Sequence, residues 1–222
     1  MNKTLKLREL LSFFDYRVQA SITHATAINS VMGEDLGVAL LAHYFESQGF
    51  NVNLLNEACT QGKQRGHRLD KWVAVTSNNV TVLYQVEIKN WSAHSIGGEI
   101  VLENGNENYM KSLRKRRWLR QFDEMTNIPS QASSRKVLTK MLAPASFRNF
   151  EQRPILCYWE PLHPRGDLEA FFEVEVQSEA FTKLGVFSMS NYVSLLLETT
   201  ETLEVDLPNA NLRIGWLNSL YG

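Results

Sequence analysis

The stretch RLDKWVAVTSNNVTVLYQVEIKNW, residues 68–91, decides the predicted fold. Its two halves, 68–76 and 80–91, are rich in valine, tyrosine and tryptophan, which is typical of β-strands. Between them, Asn78 and Asn79 suit a two-residue turn that needs positive φ at both positions, because asparagine tolerates that conformation. The stretch therefore predicts a tight hairpin whose turn sets the register of the two strands.

This register sorts the side chains of the hairpin onto two faces. It places Asp70 directly opposite Glu87, and strand alternation adds Gln85 and Lys89 to the same face, with Trp72 opposite Gln85. We expect that face to be a polar cluster. We expect the other face to be core, because its side chains are apolar: Val73, Val75, Val82, Tyr84, Val86 and Ile88.

The two opposed carboxylates need a cation, since like charges directly across a ladder are destabilising. Mg²⁺ binds one or two carboxylates together with waters and phosphate oxygens, and Mn²⁺ accepts the same ligands. Lys89 is placed to position or activate an attacking water, or to stabilise charge that develops on the phosphate. Asp70 and Glu87 therefore predict a Mg²⁺ site suited to phosphodiester hydrolysis. The alternative is a solvated strand face with a cross-strand ion pair.

Two helices are predicted upstream of the hairpin. Residues 33–48 predict a buried helix, because apolar side chains surround most of the cylinder and Gly49 provides the stop. Glu34 heads the apolar stripe of this helix, so we expect it to point inward, towards the metal. The alternative is an acidic first-turn residue that only stabilises the helix dipole. Apolar residues at helical spacing also predict an amphipathic helix over 4–20.

Further elements are predicted on either side of the hairpin. Together with the two strands of the hairpin, the predicted order is helix, three strands, helix and strand. We expect strands at 50–55, 155–159 and 171–176, and helices at 109–125, 131–142, 192–198 and 212–221.

The predicted helix at 109–125 is strongly basic. Phosphate contact is the natural role of such a surface, although a basic helix is often only solvated. The nucleic-acid-binding candidates on this helix are Lys111, Arg114, Lys115, Arg117 and Arg120, with Arg116 among them.

Gln85 is a further auxiliary candidate. It could orient water or phosphate, or serve as a structural hydrogen-bonding group.

Four residues resemble the motif of the PD-(D/E)XK nuclease superfamily, which includes many restriction endonucleases and Holliday-junction resolvases: Glu34, Asp70, Glu87 and Lys89. The family's pattern is a helical Glu, an Asp at a strand, and (D/E)XK on the next strand. Ile88 stands at the X position, and Leu69 stands where the family often has proline. The resemblance covers about residues 33–160.

The resemblance implies a fold and a set of roles. The fold is of the α/β class, with a restriction-endonuclease-like αβββαβ core whose mixed central sheet is flanked by helices. All four motif residues would be catalytic, and Asp70, Glu87 and Glu34 would bind the metal. We expect a single domain over residues 1–222, with an N-terminal helical segment at 1–32 and an acidic C-terminal extension at 161–222.

Composition and charge bound the class of protein. The chain has 222 residues, of which 44% are hydrophobic and 21% charged, as in ordinary globular proteins. Two cysteines exclude a disulfide framework, and no stretch approaches the length of a membrane span, so we expect a cytoplasmic protein. Residues 1–153 carry 20 basic and 14 acidic side chains, whereas residues 154–222 carry 3 and 10, which indicates a basic working face.

The sequence thus predicts a Mg²⁺-dependent DNA endonuclease that acts in restriction, repair or mobile-element processing. The alternative from another class is a non-catalytic nucleic-acid-binding or partner-binding module on the same fold. A structural protein with no DNA role is a third hypothesis. RNA as substrate, and a homodimer or a partner subunit, stay open at this point.

Overall fold

The predicted hairpin is present in the structure, a computed structural model that describes residues 2–13, 32, 34–56, 59–60, 68–69, 71–89 and 106–220. Asn78 and Asn79 have φ angles of 48° and 65°, as the predicted turn requires. Lys71 lies opposite Val86 in the ladder. The predicted register is therefore confirmed for the described residues, while Asp70 lies outside them.

The elements are numbered in chain order. The strands are β1 (Asn2–Lys6), β2 (Asn51–Leu55), β3 (Cys59–Thr60), β4 (Arg68–Leu69), β5 (Lys71–Ser77), β6 (Val80–Lys89), β7 (Glu151–Tyr158), β8 (Phe171–Glu175), β9 (Lys183–Ser188) and β10 (Thr202–Asp206). The α-helices are α1 (Leu7–Phe13), α2 (Asp35–Ser47), α3 (Glu107–Gln121), α4 (Ala132–Arg135), α5 (Met189–Leu196) and α6 (Pro208–Leu220). Two 3₁₀ turns are formed by Lys136–Leu138 and Ala145–Phe147.

A mixed sheet is the centre of the fold. Within the described residues it has six strands, in the order β2-β5-β6-β7-β9-β8. The strands β2, β5 and β6 pair antiparallel, whereas β7 is parallel to β6 and β9 is parallel to β7. The edge strand β8 pairs antiparallel with β9. The protein is thus of the predicted α/β class, with helices on both faces of a mixed sheet.

Both faces of the sheet are covered by apolar side chains. On one face, α1, α2 and α5 pack against Val73, Val75, Val86 and Ile88. On the other face, Trp118 of α3 packs with residues of the sheet that include Trp72 and Leu83, and both of these are fully buried. The alternation of the hairpin is confirmed. Our expectation of a polar cluster holds for only part of the second face, because α3 and the segment 136–143 cover it with apolar side chains.

The buried helix α2 approaches the sheet closely at Gly37. A Cβ atom at this position would lie 2.9 Å from Ile88 Cδ1 and 3.2 Å from Met189 Sδ. Glycine therefore lets the helix axis come near the carboxyl end of β6, directly behind Ile88, the residue between Glu87 and Lys89. The predicted burial of this helix is confirmed, since most of its apolar residues are buried.

The N-terminal segment differs from our expectation. Residues 2–6 form β1, which pairs antiparallel with β10, and the helix begins only at Leu7. The prediction of a helix from residue 4 is wrong because this long-range pairing overrides the local apolar spacing. The part of that predicted helix beyond Phe13 lies outside the described residues.

The chain after residue 160 also differs from our expectation of an extension. It contributes β8 and β9 to the central sheet, and β9 lies between β7 and β8 and pairs with both. Within the predicted strand at 68–76, Arg68–Leu69 pairs with Cys59–Thr60 and Lys71–Ser77 forms β5, while Asp70 lies outside the described residues. None of the described helices is long and apolar enough to cross a membrane.

The N-terminus of α6 is capped by a residue from another helix. Asp35 Oδ2 accepts hydrogen bonds from Asn209 N at 2.6 Å and Ala210 N at 3.0 Å, and Oδ1 accepts one from Asn209 Nδ2 at 2.6 Å. The preceding residue, Leu207, has no side-chain oxygen that could cap the helix. Asp35 therefore joins α2 to α6.

We expect Asp35→Ala to lower the free energy of unfolding by about 1–2 kcal/mol, because two backbone N–H groups of α6 lose their acceptor. Urea denaturation measures this loss. Glu46→Ala, at an exposed position of the same helix, is the matched control and should change stability by less than about 0.5 kcal/mol. Equal losses in the two variants would contradict the role of Asp35.

Candidate active site

Glu87 is a buried carboxylate near the carboxyl end of β6. Its side chain is 2% exposed, and Oε1 receives a hydrogen bond from the Lys89 ammonium group. A second ammonium group, that of Lys136, lies 2.9 Å from the same oxygen. The Lys89 and Lys136 side chains are 16% and 22% exposed, so one carboxylate and two ammonium groups meet at a largely buried position.

The position of Glu87 follows from the pairing of β6 between two neighbours. In the ladder with β7, Glu87 lies beside Leu156 and Lys89 beside Tyr158. Because alternate residues of a strand share a face, Gln85, Glu87 and Lys89 lie on one side of β6, as predicted. Ile88, between them, packs into the opposite core.

Gln85 is fully buried and holds a loop against the sheet. Its Nε2 donates to the carbonyl oxygens of Val137 and Thr139, the latter at 3.0 Å. Its Oε1 accepts from Met141 N at 3.3 Å and from Gln152 Nε2. The predicted auxiliary residue is therefore committed to hydrogen bonds with the segment that follows Lys136.

Lys136 is a functional candidate that our reading of the sequence missed. It begins the 3₁₀ turn Lys136–Leu138, far from Glu87 along the chain. A single lysine in a short polar helix carries no signal in the sequence. Hydrogen bonds from Gln85 and Gln152, together with the packing of Val137 and Leu138 in the core, bring this segment to the sheet, and none of these contacts can be inferred from spacing.

A second buried ion cluster surrounds Glu160, just beyond the end of β7. Arg117 Nη1 lies 3.1 Å from Glu160 Oε1, and Arg120 Nη2 donates to the same oxygen. Gln121 Nε2 donates to Oε2 at 3.4 Å. Burial raises the pKa of Glu160, although the positive charges of Arg117 and Arg120 oppose this effect. Burial likewise lowers the pKa of Arg117.

The negative charges of both ion clusters act on Tyr158. Burial raises the pKa of its phenol, and the negative charges of Glu160 and Glu87 add to that effect. Because paired residues of neighbouring strands share a face, Tyr158, which pairs with Lys89, lies on the same face of the sheet as Glu87. The face combines two acidic side chains with four basic ones: Lys89, Arg117, Arg120 and Lys136.

The basic helix α3 divides its charges between two sides. Arg114 is buried, and its Nη1 donates to Glu107 Oε1 and to the carbonyl oxygen of Gly166, each at 3.1 Å. Arg114 and Arg117 thus point into the protein, where each has an internal acceptor. The exposed cations of the helix are Lys111, Lys115, Arg116 and Arg120, of which Arg120 is bound to Glu160.

The described structure does not place the other two predicted metal ligands, Asp70 and Glu34, beside Glu87. Asp70 lies outside the described residues. Glu34 is exposed at the N-terminus of α2 and makes no side-chain capping bond. Because α2 covers the opposite face of the sheet, our expectation that Glu34 points inward is wrong. Among the residues described, no three His, Cys, Asp or Glu side chains form a group that could hold a metal ion.

Comparisons of the chain with protein-family models, with curated proteins and with solved structures give no significant match. The arrangement of Glu87, Lys89 and Lys136 is therefore the best indication of the function.

We expect Glu160→Gln to lower the free energy of unfolding by about 3 kcal/mol, since it leaves the buried Arg117 charge without a carboxylate. Urea denaturation at neutral pH measures the loss. The matched control is Glu173→Gln, which removes an exposed carboxylate 3.1 Å from Arg153 and should cost less than about 1 kcal/mol. A loss no larger than that of the control would show that the Glu160 cluster contributes little.

Proposed function

We propose that the protein is a divalent-metal-dependent nuclease that hydrolyses phosphodiester bonds of DNA at the carboxyl end of β6. The observation that carries the proposal is the contact between a buried carboxylate, Glu87, and the ammonium group of Lys89 on a central strand. Nucleases of the PD-(D/E)XK type, which the sequence resembles, use this pair of groups two residues apart on a strand.

The order of the elements around this pair supports the proposal. The helix α2 precedes three antiparallel strands, β2, β5 and β6. The helix α3 then connects β6 to the parallel strand β7. When the short elements β3, β4 and α4 are left out, this order is compatible with the proposed αβββαβ core, in which Glu87 and Lys89 would lie on the third strand. The short strands β3 and β4 are inserted between β2 and β5.

The residues present fit a divalent cation in part. Glu87 supplies one carboxylate, but two ammonium groups already contact it, so a divalent cation would have to displace at least one of them. We assign Asp70 as the second ligand from the sequence, and we leave Glu34 out of the metal site because its helix covers the other face. A bound Mg²⁺ would lower the pKa of a water and polarise the scissile phosphate.

The remaining chemistry falls to the chain's own groups. In hydrolysis, a water oxygen forms a bond to phosphorus and gives up a proton, the bond from phosphorus to the leaving oxygen breaks, and that oxygen gains a proton. Lys89 is placed beside Glu87 to orient the water or to stabilise the added negative charge. Lys111, Lys115 and Arg116 lie exposed on α3 and are the groups we assign to DNA phosphates. Arg114 and Arg117 instead stabilise the fold through their internal ion pairs.

We expect the purified protein to convert supercoiled plasmid into nicked and linear forms with Mg²⁺ or Mn²⁺, and not with EDTA. Glu87→Gln, Lys89→Met and Asp70→Asn should each slow cutting by about 10²-fold or more, because each removes a group that acts on the scissile phosphate. Agarose gels over time measure the rates, and circular dichroism shows that each variant is folded.

The matched control is Glu151→Gln, which changes an exposed acid at the other end of β7 and should cut at the wild-type rate. Cutting that survives both Glu87→Gln and Lys89→Met would contradict the proposal. DNA retention that weakens with salt but is indifferent to EDTA and to Asp70→Asn would instead support a non-catalytic binding module. Faster hydrolysis of a single-stranded RNA than of plasmid would assign RNA as the substrate.

A further inference from the structure

We propose that His163 is a pH-sensitive switch, which holds the loop at 163–167 against the helix α3 when its imidazole is neutral and releases the loop when the imidazole is protonated. His163 is 1% exposed and lies on the connection between β7 and β8. The switch is independent of the proposed nuclease function, although the loop contacts Lys111, one of the cations that we assign to DNA phosphates.

The hydrogen bonds of the imidazole determine which of its nitrogens carries the hydrogen. Nδ1 accepts hydrogen bonds from Asp167 N at 3.0 Å and from Arg165 N at 3.3 Å. A nitrogen that accepts hydrogen bonds has no hydrogen of its own, so the imidazole is neutral and its hydrogen is on Nε2. Nε2 donates that hydrogen to Glu169 Oε2 at 3.1 Å. The closed loop therefore requires an unprotonated Nδ1.

The same loop packs tightly onto α3. Gly166 has a φ of 83°, and a Cβ atom at this position would overlap the carbonyl oxygen of Lys111. Gly166 O accepts a hydrogen bond from Arg114 Nη1 at 3.1 Å, and His163 N donates one to Arg114 O at 3.3 Å. Asp167 Oδ1 lies 3.6 Å from Lys111 Nζ. Opening the turn around His163 therefore uncovers this part of α3 and removes an acid from Lys111.

Charged groups face the imidazole from its own loop and from α3. Besides Glu169, the loop supplies Asp167, whose Oδ2 lies 3.6 Å from Nδ1 and accepts a hydrogen bond from Arg165 Nε at 3.0 Å. That hydrogen bond holds the pKa of Asp167 below its ordinary value, so Asp167 stays charged in mild acid. Lys111 and Arg114 contact the loop from α3. From β8, the uncharged ring of Phe172 packs edge-on against the imidazole, with centroids 4.5 Å apart.

Protonation exchanges the partners of Nδ1. Burial lowers the pKa of His163, although the negative charges of Asp167 and Glu169 oppose this effect. A proton on Nδ1 removes the acceptor of two backbone N–H groups and makes the nitrogen a donor, for which the Asp167 carboxylate is the nearby acceptor. The closed loop is thus fully stabilised above about pH 6.5, the ordinary pKa of histidine, and loses stability as the pH falls below it.

Hydrogen–deuterium exchange of the amides at 163–169 tests the switch, after correction for the intrinsic pH dependence of exchange. In the open loop His163 has its ordinary pKa, so lowering the pH from about 7.5 to about 5.5 should increase this exchange about tenfold. His163→Asn places an amide oxygen near the position of Nδ1, where it accepts at either pH, and should abolish the response. The matched control, His43→Asn on α2, changes a histidine outside the loop and should keep the tenfold response.

Three outcomes would overturn the switch. They are exchange in the wild type that does not change with pH, an equal change in His163→Asn, and an increase that extends equally to β6, which would indicate global unfolding. Should His163→Asn not fold, the nitrogen chemical shifts of the wild-type imidazole decide. At about pH 7.5 they should show the hydrogen on Nε2 and none on Nδ1, and a hydrogen on Nδ1 would contradict the proposal.

Discussion

The buried charge of Glu87 is the constraint on which the arrangement of this face depends. A carboxylate that is 2% exposed is costly to ionise unless cations and hydrogen bonds compensate for the lost water. Here the compensation comes from Lys89 on the same strand and from Lys136 on a separate turn. The sheet, the turn and the buried amide of Gln85 therefore depend on one another, since the loss of any of them would separate the Glu87 carboxylate from an ammonium group.

The helix α3 repeats this pattern with the signs reversed. Its arginines at 114 and 117 lie inside, where Glu107, Glu160 and the Gly166 carbonyl group accept their hydrogen bonds or ion pairs. Its lysines and Arg116 lie outside. A helix that looks uniformly basic in the sequence thus has one structural side and one side that is open to solvent, and only the second contributes to an external electric field.

Local chemistry predicted the hairpin, and long-range pairing explains what was missed. Asn78 and Asn79 determine the register because their positive φ angles suit few other residues. β1 could not be predicted, because its partner Thr202–Asp206 lies at the far end of the chain. In the site, Lys89 follows from its spacing to Glu87, whereas Lys136 and the burial of Arg117 depend on tertiary contacts that no local pattern records. The exposed position of Glu34 follows from the side of the sheet on which α2 packs, which periodicity does not specify.

The ladder between β1 and β10 has a consequence for how the chain acquires its structure during synthesis. Asn2 pairs with Asp206, so β1 cannot form its ladder until β10 has been synthesised. Until then, the layer formed by α1 and α2 lacks the apolar cover of Leu203 and Val205. Closing so long a loop is entropically expensive and slow. The nascent protein must therefore keep an incomplete apolar layer until β10 has been synthesised, which makes chaperone binding most valuable before that point.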